Sequence, residues 1–189
     1  MYTKVYNVMK IITWNVNRAK EDSPAWDYLL NQRPDIALLQ EVISVPESVT
    51  KEYALMSRTA IYKDERPQRF STVVLVKGKI DEKPLTAEST WVKRELEFFK
   101  GNIVSGIAHP LNYGPIRVVS VYSPWWALDD VWQERGSGPT DPEINEVKLK
   151  GADKIWATEI LWAALKKSIA DDPTWVVGGD FNSSETFDK

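Results

Sequence analysis

Three polar pairs in this 189-residue chain each follow a short apolar run: Asn15 with Asn17, Gln40 with Glu41, and Asp180 with Asn182. A hard divalent cation such as Mg²⁺ takes one or two carboxylates and fills its other positions with water or phosphate oxygens. Glu41 and Asp180, brought together by neighbouring strands, suit such an ion. The Asn side chains add neutral donors and acceptors that orient a phosphate without repelling it. Each pair also has a plainer reading. Gln-Glu after an apolar run is a common solvated strand end, and Gly178-Gly179-Asp180-Phe181-Asn182 is turn-forming by composition. All three in succession at strand ends carry more weight, because ligand sites of α/β folds gather there.

The elements that position these residues alternate between strand and helix. Lys10–Asn15 reads as a strand, and Ser23-Pro24 as an N-cap followed by proline at the first helical position. Trp26, Leu29 and Leu30 give that helix its apolar face, and Arg33-Pro34 ends it. Ile36–Leu39 is a buried strand; Tyr53–Met56 and Thr72–Val76 are further strands. Asn102–Ala108 and Pro115–Tyr122 form a hairpin through the turn residues Asn112-Tyr113-Gly114. Gly136–Gly151 is polar and rich in Gly and Pro, so it reads as a long surface loop. Ala152–Ala170 has helical apolar spacing, Asp171-Asp172-Pro173 stops it, and Thr174–Val177 is a strand running into Asp180. One α/β domain over residues 10–189 accounts for this pattern, with residues 1–9 as an N-terminal extension that leaves the true start at Met1 or Met9.

Composition removes several classes. Without cysteine there is no disulfide framework, thiolate zinc site or cysteine nucleophile. With one histidine, His109, no site can draw two His ligands from this chain. The net charge of -3 argues against a broad duplex-binding groove. The basic surplus lies in the middle of the chain, where Arg58, Lys63, Arg66 and Arg69 surround Tyr62 and Phe70. A solvated loop is the commoner reading of that stretch, a phosphate grip the sharper one. Trp125-Trp126 reads first as packing and second as a stacking wall beside the site. There is no GxGxxG, P-loop or GxSxG motif, no membrane span, and no apolar leader, which points to a cytoplasmic protein of undetermined oligomeric state.

The motifs in order resemble those of the endonuclease/exonuclease/phosphatase superfamily. Thr13-Trp14-Asn15 is similar to its opening motif, Asp35–Glu41 to its Gln-Glu motif, and Gly179-Asp180-Phe181-Asn182 to its GDFN motif. Val119–Pro124 resembles the strand that brings a Tyr or His to the phosphate. The resemblance spans residues 10 to 182 and implies a four-layer α/β/β/α sandwich of two packed mixed sheets with outer helices. It implies that Glu41 ligates Mg²⁺, with Mn²⁺ as an alternative, and that Asn15 belongs to the same cluster. Tyr122 and Asn182 would hold the phosphate and Asp180 would orient or deprotonate the attacking water. The substrate would be a phosphoester, with nucleic acid among the candidates. Asn17 stands where many relatives have Asp. Relatives also continue past GDFN to a Ser-Asp-His motif whose His contacts the phosphate, and no such motif follows Asn182 here. The expectation is therefore a C-terminally truncated, incomplete sandwich with an impaired catalytic set, or a non-catalytic remnant that binds. His109 reads as a surface or structural residue in a turn.

Overall fold

The structure, a computed structural model, describes residues 8–136, 138–147, 154–171 and 174–182. Its elements are β1 (Ile11–Ala19), α1 (Pro24–Gln32), β2 (Ile36–Val42), α2 (Glu47–Thr50), β3 (Ala54–Ile61), β4 (Pro67–Val76), β5 (Gly78–Glu82), α3 (Thr90–Phe98), β6 (Ile103–Pro110), β7 (Ile116–Tyr122), α4 (Leu128–Arg135), α5 (Asp141–Val147), α6 (Ala157–Asp171) and β8 (Trp175–Asp180). Two four-stranded sheets form, in the orders β1-β2-β4-β3 and β5-β6-β7-β8. Both are mixed: β1 with β2 and β7 with β8 run parallel, the other pairs antiparallel.

Strand alternation builds the layers. In β2, Ile36 and Leu38 point to the other sheet, while Ala37 and Leu39 point to the outer face, where Trp26 and Leu29 of α1 and Val49 of α2 cover them. In β7, Ile116 and Val118 point to the first sheet, while Val119 and Val121 pack under α3, α4 and α6. The result is an α/β/β/α sandwich with a core between the sheets and one beneath each helical layer. A strand apolar on both faces survives only when both faces are covered, which is why β2 reads as an unbroken apolar run.

The start of α1 follows its local signals. The Ser23 side chain accepts the Ala25 N–H at 3.3 Å, Pro24 opens the helix, and Arg33 ends it at φ 49° with its N–H on the Leu29 and Leu30 carbonyls.

Several expectations need correction. Residues 136–151 are not one loop: α5 occupies Asp141–Val147, while the stretch 148–151 lies outside the described residues. The long helix begins at Ala157, not at Ala152. Ile155 is held before it by the Asp129 carboxylate, which accepts the Ile155 N–H at 2.8 Å. Glu159 accepts the Trp156 N–H at 2.8 Å and so closes the first turn. Burying Ile155 against α4 imitates helical spacing without a helix. Trp156 and Trp162, both within the span 152–170 whose apolar spacing reads as a helix, are exposed. Of the basic stretch, Lys63 and Arg66 lie in the loop at the tip of the β3–β4 hairpin, while Arg58 and Arg69 lie on its two strands. His109 lies in β6 opposite Lys79, not in a turn. The segments β5, α2, α3 and α4 escaped the sequence reading. The extension expected at residues 1–9 and the stop at Asp172-Pro173 fall almost wholly outside the described residues. Among the described residues no helix is long and apolar enough to cross a membrane, which leaves spans built of strands untouched.

Candidate active site

Asp180 and Tyr122 close β8 and β7, at strand ends as expected. Asn15, Asn17 and Glu41 instead lie at or in bulges of β1 and β2, at one rim of the sandwich. β1 and β2 pair regularly to Asn15↔Gln40 and resume at Ala19↔Val42, so three residues of β1 face one residue, Glu41, of β2. The register of β2 against β4 slips at the same place, between Leu39 and Val42. Within these bulges Asn17, Arg18 and Glu41 adopt left-handed φ values of 49°, 59° and 56°. For residues with a Cβ this conformation costs roughly 1–2 kcal/mol each. Bulges of this kind re-aim side chains and gather beside functional sites.

The bulge separates two residues that the sequence presents as a pair. Gln40 points between the sheets and is wholly buried, and its amide donates to the Ser120 hydroxyl of β7 at 3.0 Å. Glu41 turns out to the rim, where its carboxylate accepts from the Asn15 amide at 3.2 Å. The expectation of a two-residue polar cluster there is corrected: Gln40 joins the sheets and Glu41 alone faces the site.

On the second sheet, the parallel register sets Asp180 beside Tyr122. Gly179 makes this approach: at φ 156°, an added Cβ would lie 2.0 Å from the Val121 carbonyl oxygen. The Ser123 N–H donates to the Asp180 carbonyl at 2.8 Å, so the chain leaving β7 is tied to the end of β8. Asn182, left-handed at φ 48°, donates its backbone N–H to the Asp180 carboxylate at 3.0 Å and its amide to the Ser123 carbonyl.

The two halves meet at Asn15. Its Nδ2 donates to Glu41 Oε1 at 3.2 Å and to Asp180 Oδ2 at 2.8 Å. The two carboxylate oxygens are thus no farther apart than those bonds laid end to end, although Asn15 and Asp180 are 165 positions apart in the chain. Asn17, at the position in doubt, donates its backbone N–H to Asn15 Oδ1 at 2.9 Å and so fixes which way the amide faces. Arg18 brings a cation to this rim, with Nε 3.6 Å from Glu41 Oε2 and most of its side chain in solvent.

Tyr122 forms the floor. Its ring meets Phe70 edge-on at 5.0 Å, and its hydroxyl is hydrogen-bonded to the Gln68 side chain. Burial, reinforced by the Glu41 and Asp180 charges, pushes the hydroxyl up to about 12, against the pull of Arg18 and Gln68. It is therefore a neutral hydrogen-bonding group at any physiological pH. The hydroxyl loses its proton near 12 in the folded chain and at 10.0 ordinarily, so its contribution to stability is intact below about pH 10 and is lost as pH climbs toward 12. Melting temperatures of Tyr122→Phe should accordingly fall less steeply than those of the wild type across that window. Tyr53 and Tyr113 are also raised, so the difference between the two proteins is the reading that isolates Tyr122. Parallel curves would refute the assignment.

Three positioning residues escaped the sequence reading. Asn102 is fully buried, accepts the Ile61 N–H on its side chain at 3.0 Å and the Tyr122 N–H on its carbonyl at 2.7 Å. It thereby locks the end of β3 to the end of β7. Gln68 shares the inward row of β4 with Phe70, a period-two relation visible in the sequence once the strand is extended to Pro67. Ser123 acts through its backbone and leaves no sequence signal.

A Mg²⁺ ion suits this donor set on chemical grounds. Glu41 offers hard oxygens at the rim with the Asp180 carboxylate close by, and such an ion needs as few as one carboxylate from protein when water and phosphate supply the rest. Among the described residues no group of three or more His, Cys, Asp or Glu side chains forms, so the set is a sparse one. His109 is not part of it. It contacts Asp81 at 2.9 Å at the far end of β6, roughly 20 Å along the strand from Ile103, which pairs beside Tyr122.

Comparison with known proteins gives one family match. The model of the Endonuclease/Exonuclease/phosphatase family covers residues 12–188. No curated protein matches the chain.

Proposed function

Because the chain belongs to the endonuclease/exonuclease/phosphatase family, whose general chemistry is of phosphoesterase or nuclease type, we propose that the Asn15–Glu41–Tyr122–Asp180–Asn182 rim is a Mg²⁺-dependent phosphodiester-hydrolysing site. The observation that carries the reading is the Asn15 amide bridging the Glu41 and Asp180 carboxylates. It brings the ends of both sheets to one point at the cost of crowding two negative charges, an arrangement that a cation relieves.

In this reading Glu41, with Asn15 beside it, holds the metal, and Mn²⁺ is an acceptable substitute. When bound, the ion neutralises charge on the phosphate oxygens. Asp180 orients a water in line with the scissile bond and takes its proton as the new oxygen–phosphorus bond forms and the ester oxygen departs. The Tyr122 hydroxyl and the Asn182 amide hold the non-bridging oxygens, and neither adds negative charge. The partner is a phosphoester, with nucleic acid the leading candidate.

The test is release of p-nitrophenol from bis-p-nitrophenyl phosphate by the purified chain, in Mg²⁺ and after EDTA. A rate above background that EDTA abolishes and Mg²⁺ restores is expected. The rate should be low, because the only histidine of these 189 residues lies remote from the rim. Two observations favour a second reading, a binding module without turnover: that remoteness, and Arg18 against Glu41 where a metal would sit. A rate at background with Mg²⁺ still bound would select it.

A further inference from the structure

Trp125 and Trp126 are adjacent but have opposite fates. Trp126 is buried, stacked on Phe99 at 5.7 Å and edge-on to Phe98 at 6.3 Å. Trp125 is 76% exposed, more than any other aromatic side chain among the described residues. It stands two residues after Ser123, whose carbonyl the Asn182 amide grips, and three after Tyr122. Its backbone is therefore tethered to the site while its indole is in water. Among the described residues, packing accounts for Trp126 and leaves Trp125 without a structural task.

The electrostatics around the rim point the same way. Arg58 pairs with Glu82, Lys63 with Glu134 and Arg66 with Asp64, so most of the hairpin's cations already carry a carboxylate. With a net charge of -3 besides, a strand of nucleic acid gains little here from its phosphates beyond the scissile one. Affinity for such a strand then has to come from another contact. Stacking of a base on an exposed indole supplies it, and only an unpaired strand offers a base face for that purpose.

We propose that Trp125 is a specificity residue of this site that stacks on a nucleobase beside the scissile phosphate, and that the substrate class is single-stranded nucleic acid. This rests on the phosphodiesterase reading for the chemistry, but not for the binding. Sugar identity is left open, since the stacked face is the same in DNA and RNA.

The experiment is anisotropy of a fluorescein-labelled tetrathymidylate, and of the same tetramer with abasic sites, titrated with the intact chain in EDTA. Trp125→Ala should weaken binding of the base-bearing tetramer roughly 5- to 150-fold and change the abasic one less than about twofold, while Trp125→Phe, which keeps a ring face, stays near the wild type. Equal losses on both tetramers, no loss on either, or no binding by the wild type would each overturn the proposal. The two readings fail separately. A chain that hydrolyses nothing in Mg²⁺ yet binds the tetramer through Trp125 removes the hydrolase and keeps the stacking site. A chain that hydrolyses bis-p-nitrophenyl phosphate but ignores the base does the reverse.

Discussion

Replacing Asp180 with asparagine is expected to slow Mg²⁺-dependent hydrolysis by roughly 10²- to 10⁴-fold, the usual worth of a positioned general base. The side chain keeps its shape but can no longer take a proton. The structural penalty is small by comparison. Asp180 accepts from Asn15 and from the Asn182 N–H, and an amide supplies only one of those acceptors. One hydrogen bond of about 1 kcal/mol is then lost, which is a shift of a few degrees in a thermal melt. Steady-state kcat and a melting curve on the same preparation separate the two effects. A variant that turns over like the wild type would remove Asp180 from the reaction. A variant that fails to fold would instead mark it as a clasp between the sheets.

The second large effect concerns metal rather than rate. Glu41→Gln should abolish the thermal stabilisation that Mg²⁺ gives the wild type and raise the half-saturating Mg²⁺ for activity by at least about tenfold, because one negative ligand is gone. Ligand binding to the folded form raises stability by RT ln(1 + [L]/Kd), so the melting shift reads the affinity directly and needs no turnover. Gln fits the same left-handed position at φ 56° no worse than Glu, so the apo melting temperature should be close to that of the wild type. Arg18, 3.6 Å away, also loses its partner, an exposed contact worth little. The same Mg²⁺ shift in both proteins would show that the ion sits elsewhere. These two variants are complementary: Asp180→Asn should retain the Mg²⁺ shift while losing rate, and Glu41→Gln should lose the shift first.

The comparison of Gln40 with Glu41 shows where sequence reasoning stops. Both follow an apolar run and both are polar, and strand periodicity already says that they face opposite ways. What periodicity lacks is the extra residue in β2 relative to β4, which turns Glu41 left-handed and carries its carboxylate to the rim. The same limit applies to Asn15 and Asn17. Their spacing reads as a pair of neutral polar groups at one strand end, whereas the β1 bulge makes one a bridge between carboxylates and the other a backbone support for it. Helix α6 starts later than its apolar spacing suggests for a related reason. Apolar residues at helical spacing signal burial, and Ile155 is buried by contact with α4 rather than by belonging to the helix.

What the chain's composition and order settle is local or additive: the apolar runs that become β1, β2, β7 and β8, the Ser23-Pro24 cap, the absence of thiol chemistry, and the residue types able to hold a cation and a phosphate. These depend on the preferences of a few neighbouring residues, so they can be read without coordinates. Folding alone chose which of those residues meet. It joined Asn15 to Asp180 across 165 positions, sent Trp126 inward and Trp125 outward, and matched the cations of the hairpin with carboxylates on β5 and α4. Such choices follow from register, bulges and the packing of two sheets, each a property of distant segments held together, and no local preference contains them.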